Sequence, residues 1–120
     1  MRFEGIYTPL IAPFNSDFTL NSEAMASAID FLVNAGVHGI IVAGTTGEYY
    51  AMSMKERVFL MNRVKEILNA RLPMIVGTGA IRTEDSIEYA KQARIAGADA
   101  IMIATPPYAY PTGREIALHA

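Results

Sequence analysis

The sequence predicts an α/β fold in which short apolar strands of a parallel sheet alternate with amphipathic helices. Three observations predict it. Continuous apolar runs centre on Tyr7, Ile41, Ile75 and Met102, spaced by 34, 34 and 27 residues, about the size of one βα unit. Ala35–Ala43 reads AGVHGIIVA and Ala96–Ala104 reads AGADAIMIA, an internal repeat offset by 61 residues, or two units. Each gap between the runs carries the start and stop signals of a helix.

Taken in order, the first strand falls in Ile6–Ile11. Asn21 is placed to cap a helix whose apolar positions Met25, Ala28, Ile29, Leu32 and Val33 share one face, with Gly36 closing it. The second strand follows. Ser53 and Glu56 form a capping box ahead of Val58, Met61, Val64 and Leu68. After the third strand, Pro73–Gly77, Thr83 is placed to cap a third helix, with Glu84 and Asp85 in its first turn and Gly97 ending it. The fourth strand leads to Thr112 and Glu115, a second capping box opening a fourth helix. The runs are continuous rather than alternating, so the strands are expected to be buried on both faces.

Four βα units over 120 residues are about half of a (β/α)₈ barrel of roughly 250 residues. A small doubly wound sheet has the same periodicity, so pattern alone leaves both architectures open.

Composition excludes several function classes. Hydrophobic residues make up 52% of the chain, charged residues 18%, and the net charge is −2, a globular balance with no basic footprint for nucleic acid. There is no cysteine, hence no disulfide or thiolate metal site. The amino-terminal residues lack a signal-peptide core, and no run approaches the roughly 18 apolar residues of a membrane span. A cytoplasmic protein with neither membrane nor nucleic-acid partner is the expectation.

Ligands of α/β folds sit at the carboxyl ends of the strands. Gly44-Thr45-Thr46-Gly47-Glu48, Gly77-Thr78-Gly79-Ala80 and Thr105-Pro106-Pro107-Tyr108 stand there. Glycines around two threonines suit a nest of N–H and hydroxyl donors for a small anion, a carboxylate as well as a phosphate. The same string also serves as a plain turn whose hydroxyls bond their own backbone. No third glycine completes a dinucleotide fingerprint after Gly79, and no Gly-Lys-Ser/Thr forms a phosphate loop. Tyr108 follows two prolines that stiffen its approach, which suits proton transfer. Tyr49 and Tyr50 are expected near the pocket mouth. His38 and His119 belong to opposite ends of their units, so no metal site is expected. Glu48 is the one carboxylate at a strand end, without a second for two-carboxylate chemistry.

Through these loops, together with Pro13-Phe14, the chain resembles the family of dihydrodipicolinate synthase and N-acetylneuraminate lyase, collinearly over nearly its whole length. The resemblance implies a (β/α)₈ barrel, residues 1–120 being the amino-terminal half of one barrel domain, truncated within the fourth helix. It further implies a lyase that binds pyruvate or another 2-oxo acid as a Schiff base, with an aldehyde as second substrate and no cofactor. Thr46, with Gly47 beside it, matches the position that binds the 2-oxo acid carboxylate. Thr45 and Tyr108 match a proton relay, Tyr108 reaching a neighbouring subunit of a homodimer or homotetramer. Ala12, Tyr49-Tyr50 and Pro107 depart from common family residues, and Tyr49 and Tyr50 are candidate specificity residues.

The Schiff-base lysine is not among the three lysines here. Lys55, Lys65 and Lys91 all fall within helices rather than at strand ends. The fragment alone is therefore expected to be inactive. For the parent protein, dihydrodipicolinate synthesis from pyruvate and aspartate semialdehyde leads, with a sugar-acid 2-keto-3-deoxy aldolase or dehydratase, or an N-acetylneuraminate lyase-like paralogue, as the rival. A non-catalytic 2-oxo-acid-binding relic or a structural half barrel is the alternative of another class.

Overall fold

The computed structural model describes residues 3–107 and 110–120. Its elements run β1 (Tyr7–Pro9), α1 (Ser22–Asn34), β2 (Gly39–Val42), α2 (Met54–Leu68), β3 (Met74–Gly77), α3 (Thr83–Ile95), β4 (Ala100–Met102) and α4 (Gly113–His119). Two 3₁₀ turns, Thr45–Gly47 and Tyr49–Ala51, lie between β2 and α2. All four strands are parallel and stand in the order β1-β2-β3-β4. Ile41 pairs with Pro9 on one side and Ile75 on the other, and Ile75 pairs with Ala100.

That order separates the two architectures the periodicity left open. A doubly wound sheet reverses its strand order at a switch point and so receives helices on both faces. Here each strand is added beyond the last, and right-handed crossovers of one sense place successive helices on a single face. This is barrel winding.

Alternation along the strands shows which face the helices cover. Ile40, Val42, Met74 and Val76 are fully buried, against Met25 and Ile29 of α1 and Leu60, Met61, Val64 and Leu68 of α2. Burying each such side chain contributes roughly 1.5–3 kcal/mol. Ile41 and Ile75, on the other face, are only half-buried, and Met102 there is 40% exposed, while Ile101 on the helix side of edge strand β4 is 41% exposed. The expectation of strands buried on both faces is therefore corrected for these residues. Both faces are apolar, but the chain's own helices cover one.

The helix ends follow the expected chemistry with one exception. Asn21 Oδ1 accepts from Ala24 N at 2.9 Å. Ser53 accepts from Glu56 N while Glu56 accepts from Ser53 N at 2.8 Å, and Thr112 and Glu115 repeat the arrangement. Gly36 and Gly97 both take positive φ, 77° and 78°, at the same second position of each copy of the repeat, a conformation that costs a Cβ-bearing residue about 1–2 kcal/mol. The exception is Thr83, which is the first residue of α3 rather than its cap. Arg82 takes the cap position without a side-chain hydrogen bond, and Thr83 Oγ1 instead lies 2.9 Å from His119 Nδ1 in α4.

The carboxylates of Glu56 and Glu115 are held below the usual range by hydrogen bonds from Ser53 and Thr112. A depressed folded pKa stabilises the fold above the ordinary glutamate range and loses that contribution as pH falls through the lowered value. Acidification should thus loosen the starts of α2 and α4 together, read as a fall in the urea midpoint as pH drops below about 5. Ser53→Ala should cost about 1 kcal/mol at neutral pH. Thr83→Ala should cost less, because no helix N–H loses an acceptor.

Candidate ligand site at the carboxyl rim of the sheet

The strand ends carry the three polar loops to one edge. After β2, Ala43 turns left-handed at φ 54°, a conformation unusual for alanine and stored in a residue that is 1% exposed. Gly47 N donates to Gly44 O and Glu48 N to Thr45 O, both at 3.0 Å, and Glu48 ends the turn at φ 55°. These bonds leave the N–H groups of Thr45 and Thr46 outside the turn's own ladder. Both threonines are exposed, and neither hydroxyl bonds another described residue. The hydroxyls thus do not satisfy their own backbone, and these exposed residues keep their donors unspent among the described residues.

Neighbouring strand ends wedge this loop. A Cβ on Gly47 would stand 3.0 Å from Leu10 O, just past β1. A Cβ on Gly77 would stand 2.2 Å from Ala43 O, an impossible contact, so the end of β3 lies directly against the turn that opens the Thr45–Gly47 loop. The β3 loop is held in turn by α3, where Ser86 Oγ donates to Thr78 O at 2.8 Å. Thr78 N donates to Met102 O at 3.0 Å, tying it to β4. Thr45, Thr46 and Gly47 therefore sit together at the rim.

Tyr108 lies outside the described residues. Tyr49 and Tyr50 diverge: Tyr50 is 68% exposed, whereas the Tyr49 hydroxyl approaches Gly79. Both rings line an open cleft of about 280 Å³ between α2, α3 and the β3 loop, with Arg57, Asp85, Tyr89 and Pro107.

Arg57 is the residue the sequence reading missed. It is 2% exposed and donates to Gly77 O at 2.7 Å and Gly79 O at 3.1 Å. Its guanidinium lies 3.4 Å from the Tyr89 ring centre and 5.1 Å from that of Tyr49. Burial pushes its pKa below the ordinary guanidinium value, and the two tyrosines act in the opposite sense. The signal was present in the spacing. The buried stripe of α2 is Arg57, Leu60, Met61, Val64 and Leu68, so Arg57 continues it one turn toward the rim, and Val58 is only half-buried.

The lysines lie on helices rather than at strand ends. Lys65 pairs with Asp99 at 3.6 Å ahead of β4, Lys91 pairs with Glu88 at 3.6 Å along α3, and Lys55 is exposed in the first turn of α2. Among the described residues, no three His, Asp or Glu side chains gather as a metal site, and no helix is long and apolar enough to cross a membrane.

The sequence pattern defining the dihydrodipicolinate synthetase family matches residues 2–120. The chain belongs to that family. A curated 4-hydroxy-tetrahydrodipicolinate synthase of Bacillus subtilis is 36% identical over 119 residues, covering 99% of this chain and 41% of that protein. An uncharacterized DapA-like lyase of Thermococcus onnurineus is 43% identical over 107 residues, covering 89% of this chain and 36% of that protein. A prophage protein of Escherichia coli K12, assigned to the dihydrodipicolinic acid synthase family and solved with pyruvate, superposes with TM-score 0.93 at 30% identity, over 98% of this chain and 39% of that one. The chain thus spans about two fifths of these relatives' length, and its four parallel βα units are a contiguous part of the (β/α)₈ fold.

For this family member, Gly77→Ala should be disruptive beyond its size. The added methyl must push Ala43 aside, so a loss of about 1–3 kcal/mol is expected from chemical denaturation.

Proposed function

We propose that the protein to which these residues belong is a Schiff-base-forming lyase acting on pyruvate or another 2-oxo acid. The observation that carries the reading is the pair of unspent donors at Thr45 and Thr46, set at the strand ends in a chain of this family. A carboxylate needs converging N–H and O–H donors, and charge-assisted bonds of this kind are roughly twice as strong as neutral ones. Thr46 and the adjoining Gly47 are assigned to the carboxylate. Thr45 and Tyr108 are assigned to proton relay, which imine formation requires because the carbonyl oxygen must leave as water. A relay through Tyr108 from a neighbouring subunit calls for a homodimer or homotetramer.

The lead reaction is condensation of pyruvate with aspartate semialdehyde, as 4-hydroxy-tetrahydrodipicolinate synthase in lysine biosynthesis, in the cytoplasm. The Bacillus subtilis relative supports it. A sugar-acid aldolase or dehydratase is the second reading. It is favoured by likeness to a Clostridium difficile protein solved with mannosamine, 26% identical with TM-score 0.94.

The imine carbon needs a lysine at a strand end, and Lys55, Lys65 and Lys91 are elsewhere. Borohydride trapping with pyruvate, read by intact mass, should leave residues 1–120 unmodified. A polypeptide of the relatives' full length should gain one adduct, on a lysine outside these residues. A stoichiometric adduct on Lys55, Lys65 or Lys91, or none on the longer protein, would overturn the reading.

A further inference from the structure

Arg57 is a costly residue for folding alone to retain. A buried cation is disfavoured by several kcal/mol unless it is paired, and among the described residues no carboxylate forms an ion pair with Arg57. Asp85 lines the same cleft but lies 3.9 Å from Arg82 instead. The guanidinium is held by two carbonyls and two aromatic faces, and its Nε makes no hydrogen bond among the described residues. An apolar side chain would fill the space and continue the α2 stripe, but it would leave the buried Gly77 and Gly79 carbonyls without this donor.

Its partners supply a reason. The shorter bond goes to Gly77 O. Gly77 is the residue against which Ala43 O is pressed, and Ala43 is the left-handed residue that launches Gly44-Thr45-Thr46. The second bond goes to Gly79 O, two residues along the same loop, and Tyr49 on the far side of the threonine turn lies over the guanidinium. One side chain thus grips the β3 loop at two points and braces the β2 loop from its other end.

We propose that Arg57 is a positioning residue of the rim, locking the β3 loop against Ala43 so that the donors of Thr45 and Thr46 converge. The proposal deepens the 2-oxo-acid reading and rests on it for the identity of the ligand. Arg57 touches no reacting atom. It acts through carbonyl oxygens that only a planar, forked donor can hold together, so lysine is not an equivalent.

The test compares Arg57→Gln and Arg57→Lys with Val64→Ala, which removes buried carbon from the same helix and controls for lost stability. Two readouts are taken on protein whose fold is verified by circular dichroism: ligand-free amide shifts of Thr45, Thr46 and Gly47, and pyruvate affinity by calorimetry. Both Arg57 variants should move those three amides and weaken pyruvate roughly ten- to a hundredfold, as small misplacements do at ordered sites. Val64→Ala should do neither. Unmoved amides in a folded Arg57 variant, or equal movement in Val64→Ala, would overturn the proposal. If the Arg57 variants do not fold, Tyr89→Leu removes the ring beneath the guanidinium and leaves the carbonyl bonds to loosen. The same three amides should move, and their failure to move counts against the proposal. Absence of pyruvate binding by the unsubstituted protein would sink the 2-oxo-acid reading, while the ligand-free shifts would still decide the role of Arg57.

Discussion

The rim is organised around a contact that admits no side chain. Ala43 O occupies the space a Cβ on Gly77 would need, so the ends of β2 and β3 meet backbone to backbone. Everything nearby follows from keeping that contact closed. Arg57 holds Gly77 and Gly79 from the α2 side, Ser86 holds Thr78 from α3, and Thr78 N is tied to β4. The strained φ of Ala43 is tolerated because its neighbours leave no alternative, and the turn it begins presents two threonines with their donors free.

Sheet topology explains why this edge holds the polar loops. Strands added in one direction share a carboxyl end, so the loops after β2, β3 and β4 gather there while the helices stack on a single face. The other face carries Ile41, Ile75, Ala100 and Met102, apolar yet only partly covered by the described residues. Relatives more than twice as long share the fold over this part, so an apolar inner face suits a sheet that closes on itself.

Much of this was legible from residue spacing. Four βα units, three side-chain caps and the two helix-ending glycines of the repeat are written in short-range chemistry, and short-range chemistry survives folding. Thr83 was misread because a cap signal in sequence is also a plain first-turn residue, and His119, 36 positions away, engaged the hydroxyl. Strand burial was overestimated because apolar composition states what a face can bury, not what covers it. Arg57 escaped notice because a periodicity count scores arginine as polar, although Leu60, Met61 and Val64 place it on the inner stripe. Tyr49 and Tyr50 looked equivalent in sequence. A 3₁₀ turn sends one ring over Arg57 and the other into solvent, a difference no pattern of two identical residues can encode.

The free donors of the Thr45–Gly47 turn are the proposed carboxylate site. Titrating the isotope-labelled protein with pyruvate and following every backbone amide tests it most directly. Saturable shifts are expected, largest at Thr45, Thr46 and Gly47 and abolished by Thr46→Val. Shifts concentrated in the Tyr49–Tyr89 cleft, or a Thr46→Val protein that binds as before, would contradict it.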